Sequence, residues 1–187
     1  GIIDARHACD ARFWLHVLPC FYMLRGDSDE NVSFDPEICL CQLPHSYIGM
    51  EYGTDKLDMR NDFLFSGMAL IRDRSYGMTS CGTGGIWAIT SAEGAGEYFF
   101  GRTMIEDTSS THLRFFEGKR SIYLPPMRGK PDQQLMRAVP KVSANYLEAL
   151  ERWDTGAIQI LMSLSLPAPG FWLVMLFMVT MCTAVLL

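Results

Sequence analysis

The sequence predicts an α/β fold with a largely parallel sheet. Short apolar runs bounded by Gly, Pro or Asp alternate along the chain with segments whose apolar residues recur at helical spacing. This alternation of strands and helices is typical of α/β layers. The 187 residues are 49% hydrophobic, which is enough for the core of one ordinary domain.

The net charge argues against a nucleic-acid binder, and the cysteine spacing argues against a zinc knuckle or a disulfide framework. The net charge of -5 argues against a nucleic-acid binder, since neutralising phosphates requires a basic face. The cysteines form no CxxC pair and have no His at zinc-like spacing, which predicts free thiols in a reducing compartment. They are Cys9, Cys20, Cys39, Cys41, Cys81 and Cys182.

The first half of the chain predicts a strand, a helix and a second strand. An apolar run ends at Asp4, and residues 10–24 have helical periodicity that Pro19 is expected to bend. A polar loop follows at residues 26–31. The apolar run of residues 37–44 then predicts a strand that ends at its proline.

The middle of the chain predicts a helix, a glycine-rich turn and two more strands. Apolar residues recur at helical spacing over residues 55–73, with Gly67 as a weak point. The turn at residues 80–85 leads into a strand at 86–89, and its glycines would let the backbone approach a ligand closely. Residues 120–125 predict another strand.

An acidic pair, Glu106 and Asp107, lies where an apolar run meets a predicted helix that ends at Gly118. Asp107 at the helix start has two interpretations. It can cap the helix by accepting a backbone N–H, as Asp does at many helix N-termini. It can also be a general base, held by local donors and aimed into a cleft.

The C-terminal part becomes steadily more apolar. A helix is predicted over residues 142–166, and no Lys, Arg, Asp or Glu occurs from Ala157 to the last residue. The apolar stretch Phe171–Leu187 predicts the start of a membrane-spanning helix, with a buried core helix as the alternative. Basic residues at 128–152 precede this stretch, which places the α/β part in the cytosol.

Five short motifs resemble those of one enzyme family in order and spacing. They are Asp4-Ala5-Arg6-His7, Gln42-Leu43-Pro44, Cys81-Gly82-Thr83-Gly84-Gly85, Ile105-Glu106-Asp107, and Arg152-Trp153 with Gly156 and Gln159. In the same order they resemble the D-x-D-H, Q-x-P, (F/Y)xGTxG, T-E-D and R-W-x-x-G-x-x-Q motifs of the processive family 2 glycosyltransferases, most closely cellulose synthase and cellulose synthase-like proteins. The resemblance covers nearly the whole chain and favours Asp107 as a base.

The resemblance implies a membrane-bound inverting enzyme. Residues 1–141 would be part of a GT-A (Rossmann-like) catalytic domain, residues 142–166 an interfacial helix, and residues 167–187 the start of the transmembrane region. The enzyme would transfer a sugar, with UDP-glucose the first choice, to the 4-hydroxyl of a growing β-1,4-glucan at the plasma membrane or Golgi. With no initiator methionine at the start, the sequence is expected to be an internal part of a longer protein, and inactive without the upstream nucleotide-binding half.

The resemblance also implies a role for each motif. The catalytic residues would be Asp107, as the base, and Glu106 beside it in the acceptor pocket. The nucleotide sugar and its diphosphate would contact Asp4, Arg6 and Arg152, and Asp4 would ligate Mg²⁺ or Mn²⁺. The glucan acceptor would contact Gln42, Cys81, Gly82, Thr83 and Trp153. The lipid bilayer and other copies or subunits of a synthase complex would be further partners.

Four positions depart from the family pattern. Arg6 replaces the second Asp of D-x-D and has no acceptor atom for a cation. Ala149 replaces the Gln of Q-x-x-R-W, Ile105 the Thr of T-E-D, and Ser80 the aromatic residue before the glycine turn. A β-mannan or chitin-type synthase therefore stays open, since residues 82–87 also resemble the mannan-type turn. A non-catalytic membrane scaffold that retains the fold is the other alternative.

Overall fold

The computed structural model describes residues 7–24, 32–47, 63–75, 77–89, 103–125, 136–138 and 143–163. Across these ranges the chain is a mixed α/β structure with small sheets. The predicted strand ending at Asp4, the first part of the predicted helix at 55–73 and the membrane region at 167–187 lie outside the described residues.

The strands and helices are short, apart from α3 and α4. The strands are β1 His7–Cys9, β2 Tyr22–Leu24, β3 Val32–Phe34, β4 Ile38–Gln42, β5 Ser46–Tyr47, β6 Gly85–Trp87, β7 Arg120–Tyr123 and β8 Met136–Ala138. The helices are α1 Phe13–Val17, α2 Ala69–Asp73, α3 Glu106–Phe116 and α4 Ser143–Ser163, with a 3-10 helix at Leu18–Phe21 and a π-helical segment at Phe63–Met68.

The sheet that carries the candidate site has the strand order β6-β4-β7. All five residues of β4 are buried, as expected for a central strand with an uninterrupted apolar run. β7 pairs with β4 in parallel, whereas β6 pairs with it antiparallel. The second three-stranded sheet, β1-β8-β5, is mixed in the same way. The prediction of a largely parallel sheet is therefore wrong for the described strands, because the turn before β6 returns the chain against β4.

The helix predicted over residues 10–24 is much shorter than expected. α1 ends at Val17, and Pro19 lies in the 3-10 helix, since proline cannot donate the hydrogen bond that an α-helix needs there. The chain then extends as β2, whose Tyr22 and Leu24 pair antiparallel with β3. Pairing with a neighbouring strand thus overrides the helical periodicity of this segment.

Two apolar clusters hold the elements around this sheet. Phe13, Val17 and Phe21 pack with residues of β4 and β6. Tyr123 of β7 packs in a second cluster, which includes a residue of α2. Its hydroxyl donates a hydrogen bond to the carbonyl of Phe65 at 2.7 Å. These contacts fix the position of the C-terminal end of β4, and this end supports the glycine-rich turn.

The long helix α4 agrees with the helix predicted at 142–166. One side buries Tyr146, Leu150 and Ile160, while Met162 on another side is 84% exposed. Among the residues that the structure describes, no helix has the length and apolar character needed to cross a membrane. The predicted membrane span lies beyond the last of them.

Candidate active site

Asp107 lies in the first turn of α3. The helix begins at Glu106, and Ile105 occupies the N-cap position without a side-chain capping bond. Asp107 is therefore not the N-cap residue. Its carboxylate nevertheless interacts with the backbone N–H of Thr108, which acts to lower its pKa. The cap interpretation explains only part of its environment.

The carboxylate of Asp107 lies against the glycine-rich turn. Gly82 has a φ of +79°, a conformation that side-chain-bearing residues rarely adopt. A Cβ at Gly82 would lie 3.3 Å from Asp107 Oδ2. The turn and the acidic pair are thus brought together from distant parts of the sequence, as the motif pattern predicts.

Burial, together with the smaller effect of the Glu106 charge, raises the pKa of Asp107 to about 6. The backbone N–H of Thr108 and the positive charge of Arg152 act in the opposite direction. A carboxylate with such a pKa is mostly ionised at neutral pH and is a much stronger base than an ordinary Asp. Perturbed acids of this kind are concentrated at functional sites, although structural networks also produce them.

The side chain of Gln42 supports the glycine-rich turn through hydrogen bonds. Its side-chain amide donates to the carbonyls of Leu43 at 2.8 Å and Thr83 at 3.0 Å, and it accepts from the N–H of Cys81 at 3.0 Å. The side chain is 0% exposed. The expected direct contact between Gln42 and a glucan is therefore not compatible with this structure, because the amide is buried and engaged with the turn.

The other predicted acceptor residues differ in their access to solvent. Thr83 is buried, and its carbonyl also accepts from His45 Nε2 at 2.8 Å. Cys81 and Gly82 are partly exposed. Burial raises the pKa of Cys81 to about 12, with a contribution from the nearby Asp107 charge, so the thiol stays protonated at neutral pH. Only Cys81 and Gly82 of the turn thus offer surface beside the carboxylate.

Hydroxyl side chains of α3 bind the helix to the turn. Thr111 Oγ1 accepts from the N–H of Ser80 at 3.0 Å, and Thr108 Oγ1 donates to the carbonyl of Ser80 at 3.2 Å. Sequence reasoning missed these two threonines. The available signal was the run of four hydroxyl residues directly after the acidic pair, which is unusual in a helix interior unless the hydroxyls have partners.

α4 covers the other side of the α3 N-terminus. Gly156 packs on Ile105, and Gln159 Oε1 accepts from the N–H of Met104 at 2.9 Å. Arg152 is exposed and close enough to act electrostatically on Asp107. An open pocket of about 360 Å³ lies here. Its lining residues are Met104, Glu148, Glu151, Arg152 and Thr155.

Trp153 is half-buried and packs edge-to-face on Tyr146, with ring centroids 6.2 Å apart. Ala149, at the position of the missing Gln, is buried. Asp4 and Arg6 lie outside the described residues. Within the part of the chain that the structure describes, no three His, Cys, Asp or Glu side chains are grouped so as to hold a metal ion.

No protein-family model matches the chain, and a search of curated proteins finds no match either. The inference of function therefore depends on the five motifs and on the site that three of them form around Asp107.

Proposed function

We propose that this chain is part of a membrane-bound inverting processive glycosyltransferase, which transfers glucose from UDP-glucose to the 4-hydroxyl of a growing β-1,4-glucan. The observation that supports this most is the partly buried carboxylate of Asp107, whose Oδ2 lies 3.3 Å from the position a Cβ would take at Gly82 and which feels the charge of Arg152. A raised-pKa carboxylate beside a residue without a side chain suits deprotonation of a sugar hydroxyl, and a nearby guanidinium suits stabilisation of the departing diphosphate.

In this proposal Asp107 takes the proton of the acceptor 4-hydroxyl as the oxygen attacks the anomeric carbon. A new glycosidic C–O bond forms, and the bond from that carbon to the diphosphate oxygen breaks with inversion. UDP leaves with the bonding electron pair. Arg152 stabilises the charge that develops on the diphosphate, because its planar guanidinium can donate two parallel hydrogen bonds to phosphate oxygens.

The surrounding residues orient the acceptor. In this proposal the acceptor sugar approaches the carboxylate along Gly82, which has no side chain to block it, and passes the neutral thiol of Cys81. Trp153 offers an aromatic face for a sugar ring, since stacking on such faces excludes water and adds no charge. Glu106 is exposed beside Asp107 and in this proposal borders the acceptor pocket. Gln42 and Thr83 act on the acceptor only through the turn that they support.

The family resemblance implies Mg²⁺ or Mn²⁺ at the D-x-D position, with Asp4 as a ligand. The donor set does not fit a complete site of that kind, because Arg6 has donors only and repels a cation. Asp4 alone supplies a single carboxylate. No step proposed for this chain is therefore assigned to a metal, and charge on the diphosphate is assigned to Arg6 and Arg152.

The donor sugar can be identified directly. Membranes containing the full-length protein are incubated with labelled UDP-glucose, GDP-mannose and UDP-N-acetylglucosamine, and insoluble polymer is measured. We expect polymer from UDP-glucose that a β-1,4-glucanase releases. Polymer from GDP-mannose or UDP-N-acetylglucosamine instead identifies the mannan or chitin-type alternative, to which the turn at residues 82–87 is also suited.

Absence of polymer from every donor, in membranes where the protein is folded, would favour the non-catalytic scaffold. The observation in favour of that alternative is Arg6, which removes one acidic ligand from the family motif. A control preparation of empty membranes measures synthesis by endogenous enzymes.

We also propose that the chain belongs to an integral protein of the plasma membrane or Golgi, with the α/β part facing the cytosol and α4 lying at the interface. The support is the uncharged sequence after Ala157 and the apolar stretch Phe171–Leu187. We expect the full-length protein to stay in the membrane pellet after carbonate extraction. Release into the supernatant would favour a buried core helix at residues 171–187.

A further inference from the structure

Two residues of α4 contact the start of α3, and neither has a role in the chemistry proposed above. Gly156 is buried, and a Cβ at this position would lie 2.7 Å from Ile105 Cγ1 and 2.9 Å from Ile105 Cγ2. Gln159 Oε1 accepts from the N–H of Met104 at 2.9 Å. Met104 and Ile105 are the two residues that precede α3, so both contacts act on the segment that aims Asp107.

The first of these contacts leaves little freedom. Glycine is unfavourable in the interior of a helix, and its presence at position 156 is explained by the absence of space for even a methyl group. Its partner, Ile105, is β-branched and therefore stiff about χ1. A contact between a helix backbone and a stiff side chain sets one distance between α4 and the start of α3.

The same contact also fixes where the turn of α4 that carries Arg152 lies relative to Asp107. Arg152 lies one turn before Gly156 on α4, and residues four apart occupy the same side of a helix. Asp107 lies two residues after Ile105. The N-terminal part of α3 cannot absorb a shift easily, since Thr108 and Thr111 are hydrogen-bonded to Ser80.

We propose that Gly156 and Gln159 are positioning residues, which dock α4 on residues 104–105 and so hold Asp107 against the glycine turn and beside Arg152. This inference rests on the proposed function of Asp107 as a base. The last two defined residues of the R-W-x-x-G-x-x-Q motif then have a positioning role and do not contact the substrate.

The size of residue 156 gives the first test, in membranes containing the full-length protein. Gly156→Ala places a methyl group against Ile105, and we expect kcat to fall about 100-fold, because displacements of about 1 Å have effects of this size. The KM for the donor should change little. Ile105→Ala alone removes the same contact but forces nothing apart, so it should lower kcat less than Gly156→Ala does. The double variant with Gly156→Ala should recover part of the activity, since it removes both Cγ atoms that the new methyl group meets and leaves only the Ile105 N, 3.1 Å from that group.

The hydrogen bond of Gln159 gives a second test that needs no change in packing at Gly156. Gln159→Leu removes the acceptor for the Met104 N–H, and we expect kcat to fall about tenfold. Gln159→Glu keeps an acceptor oxygen and should retain most of the activity at pH 8, where Asp107 is ionised in either variant. If Gly156→Ala does not fold, the comparison of Gln159→Leu with Gln159→Glu tests the proposal by itself.

The pH profile distinguishes positioning from a loss of fold. The charged and titratable groups facing Asp107 are Glu106 on its own helix, Arg152 on α4 and Cys81 on the turn. Burial is the largest cause of the raised pKa of Asp107 and outweighs the opposing charge of Arg152, so a looser α4 that lets water reach the carboxylate should move the acid limb of kcat/KM below pH 6. A substitution that only unfolds part of the protein lowers the amount of active protein but does not shift the acid limb of the pH profile.

Three results would overturn the inference: wild-type kcat in Gly156→Ala, an unshifted acid limb, or no recovery in the double variant. Failure of the proposed function has a different signature. Asp107→Asn would then remain active, whatever the Gly156 variants do. Protein amount in the membrane and apparent melting temperature are measured for every variant.

Discussion

Asp107→Asn is expected to lower the rate of polymer synthesis by roughly 100- to 10,000-fold, the range that a general base contributes. The amide has nearly the same shape and can still accept a hydrogen bond from the backbone of the first turn of α3. It cannot take a proton from the acceptor hydroxyl. The measurement is the initial rate of synthesis by the full-length protein at saturating donor.

The same substitution should stabilise the fold near pH 7. Burial raises the pKa of Asp107 from 3.8 in the unfolded reference to about 6, so its folded charged form is disfavoured. The stability contributed by this group is therefore present at low pH and is lost as the pH rises from about 4 to above 6. Removing the charge recovers about 1–3 kcal/mol at neutral pH, by the relation between pKa and free energy. We expect a higher apparent melting temperature together with the loss of synthesis.

Glu106→Gln is the matched control, because Glu106 neighbours Asp107 on the same turn but is exposed. It should lower the pKa of Asp107 slightly, since the Glu106 charge is one of the causes that raise it. Synthesis should then persist to lower pH than in the native protein. Near-native synthesis by Asp107→Asn would show that another group is the base.

Local signals predicted the elements that carry the site. The helix that carries Asp107 does end near Gly118, whose φ is +77°, as a C-terminal glycine requires. The buried run of β4 and the turn leading into β6 are also present. Such features depend on a few adjacent residues, so their pattern is visible in the sequence.

Pairing and burial could not be predicted in the same way. β6 joins β4 antiparallel, and Tyr22 leaves a predicted helix to join a hairpin, because the choice of partner strand depends on distant residues. The burial of the Gln42 amide could not be predicted for a related reason. β4 is buried on both faces, so no alternation in its sequence shows which way the amide points.

Of the candidate site, the sequence motifs indicated that Asp107, the glycine turn and Arg152 come together. They did not indicate which atoms touch. Gly156 was noticed only as a motif position, and its contact with Ile105 joins residues far apart in the chain. Contacts of this kind follow from how two helices dock, and no local propensity encodes them.

Gln42→Leu is expected to destabilise the protein by about 3 kcal/mol, since burying an unpaired polar group costs about 1–3 kcal/mol each. Leucine fills a similar volume but leaves the N–H of Cys81 and the carbonyl of Leu43 without their present partner in the described contacts. The carbonyl of Thr83 keeps its bond from His45. The loss should therefore fall mainly on the start of the turn, and it is measured as a lower apparent melting temperature.

Cys39→Ala is the control for this variant, because Cys39 is buried in the same strand but packs with Leu40 and Trp87 away from the turn. It should cost about 1 kcal/mol from lost packing and leave the pH dependence of synthesis unchanged. Gln42→Leu should instead lower synthesis in the fraction that stays folded, since the turn then no longer holds Gly82 beside Asp107. Equal synthesis per folded molecule in the two variants would show that the turn keeps its shape without the buried amide.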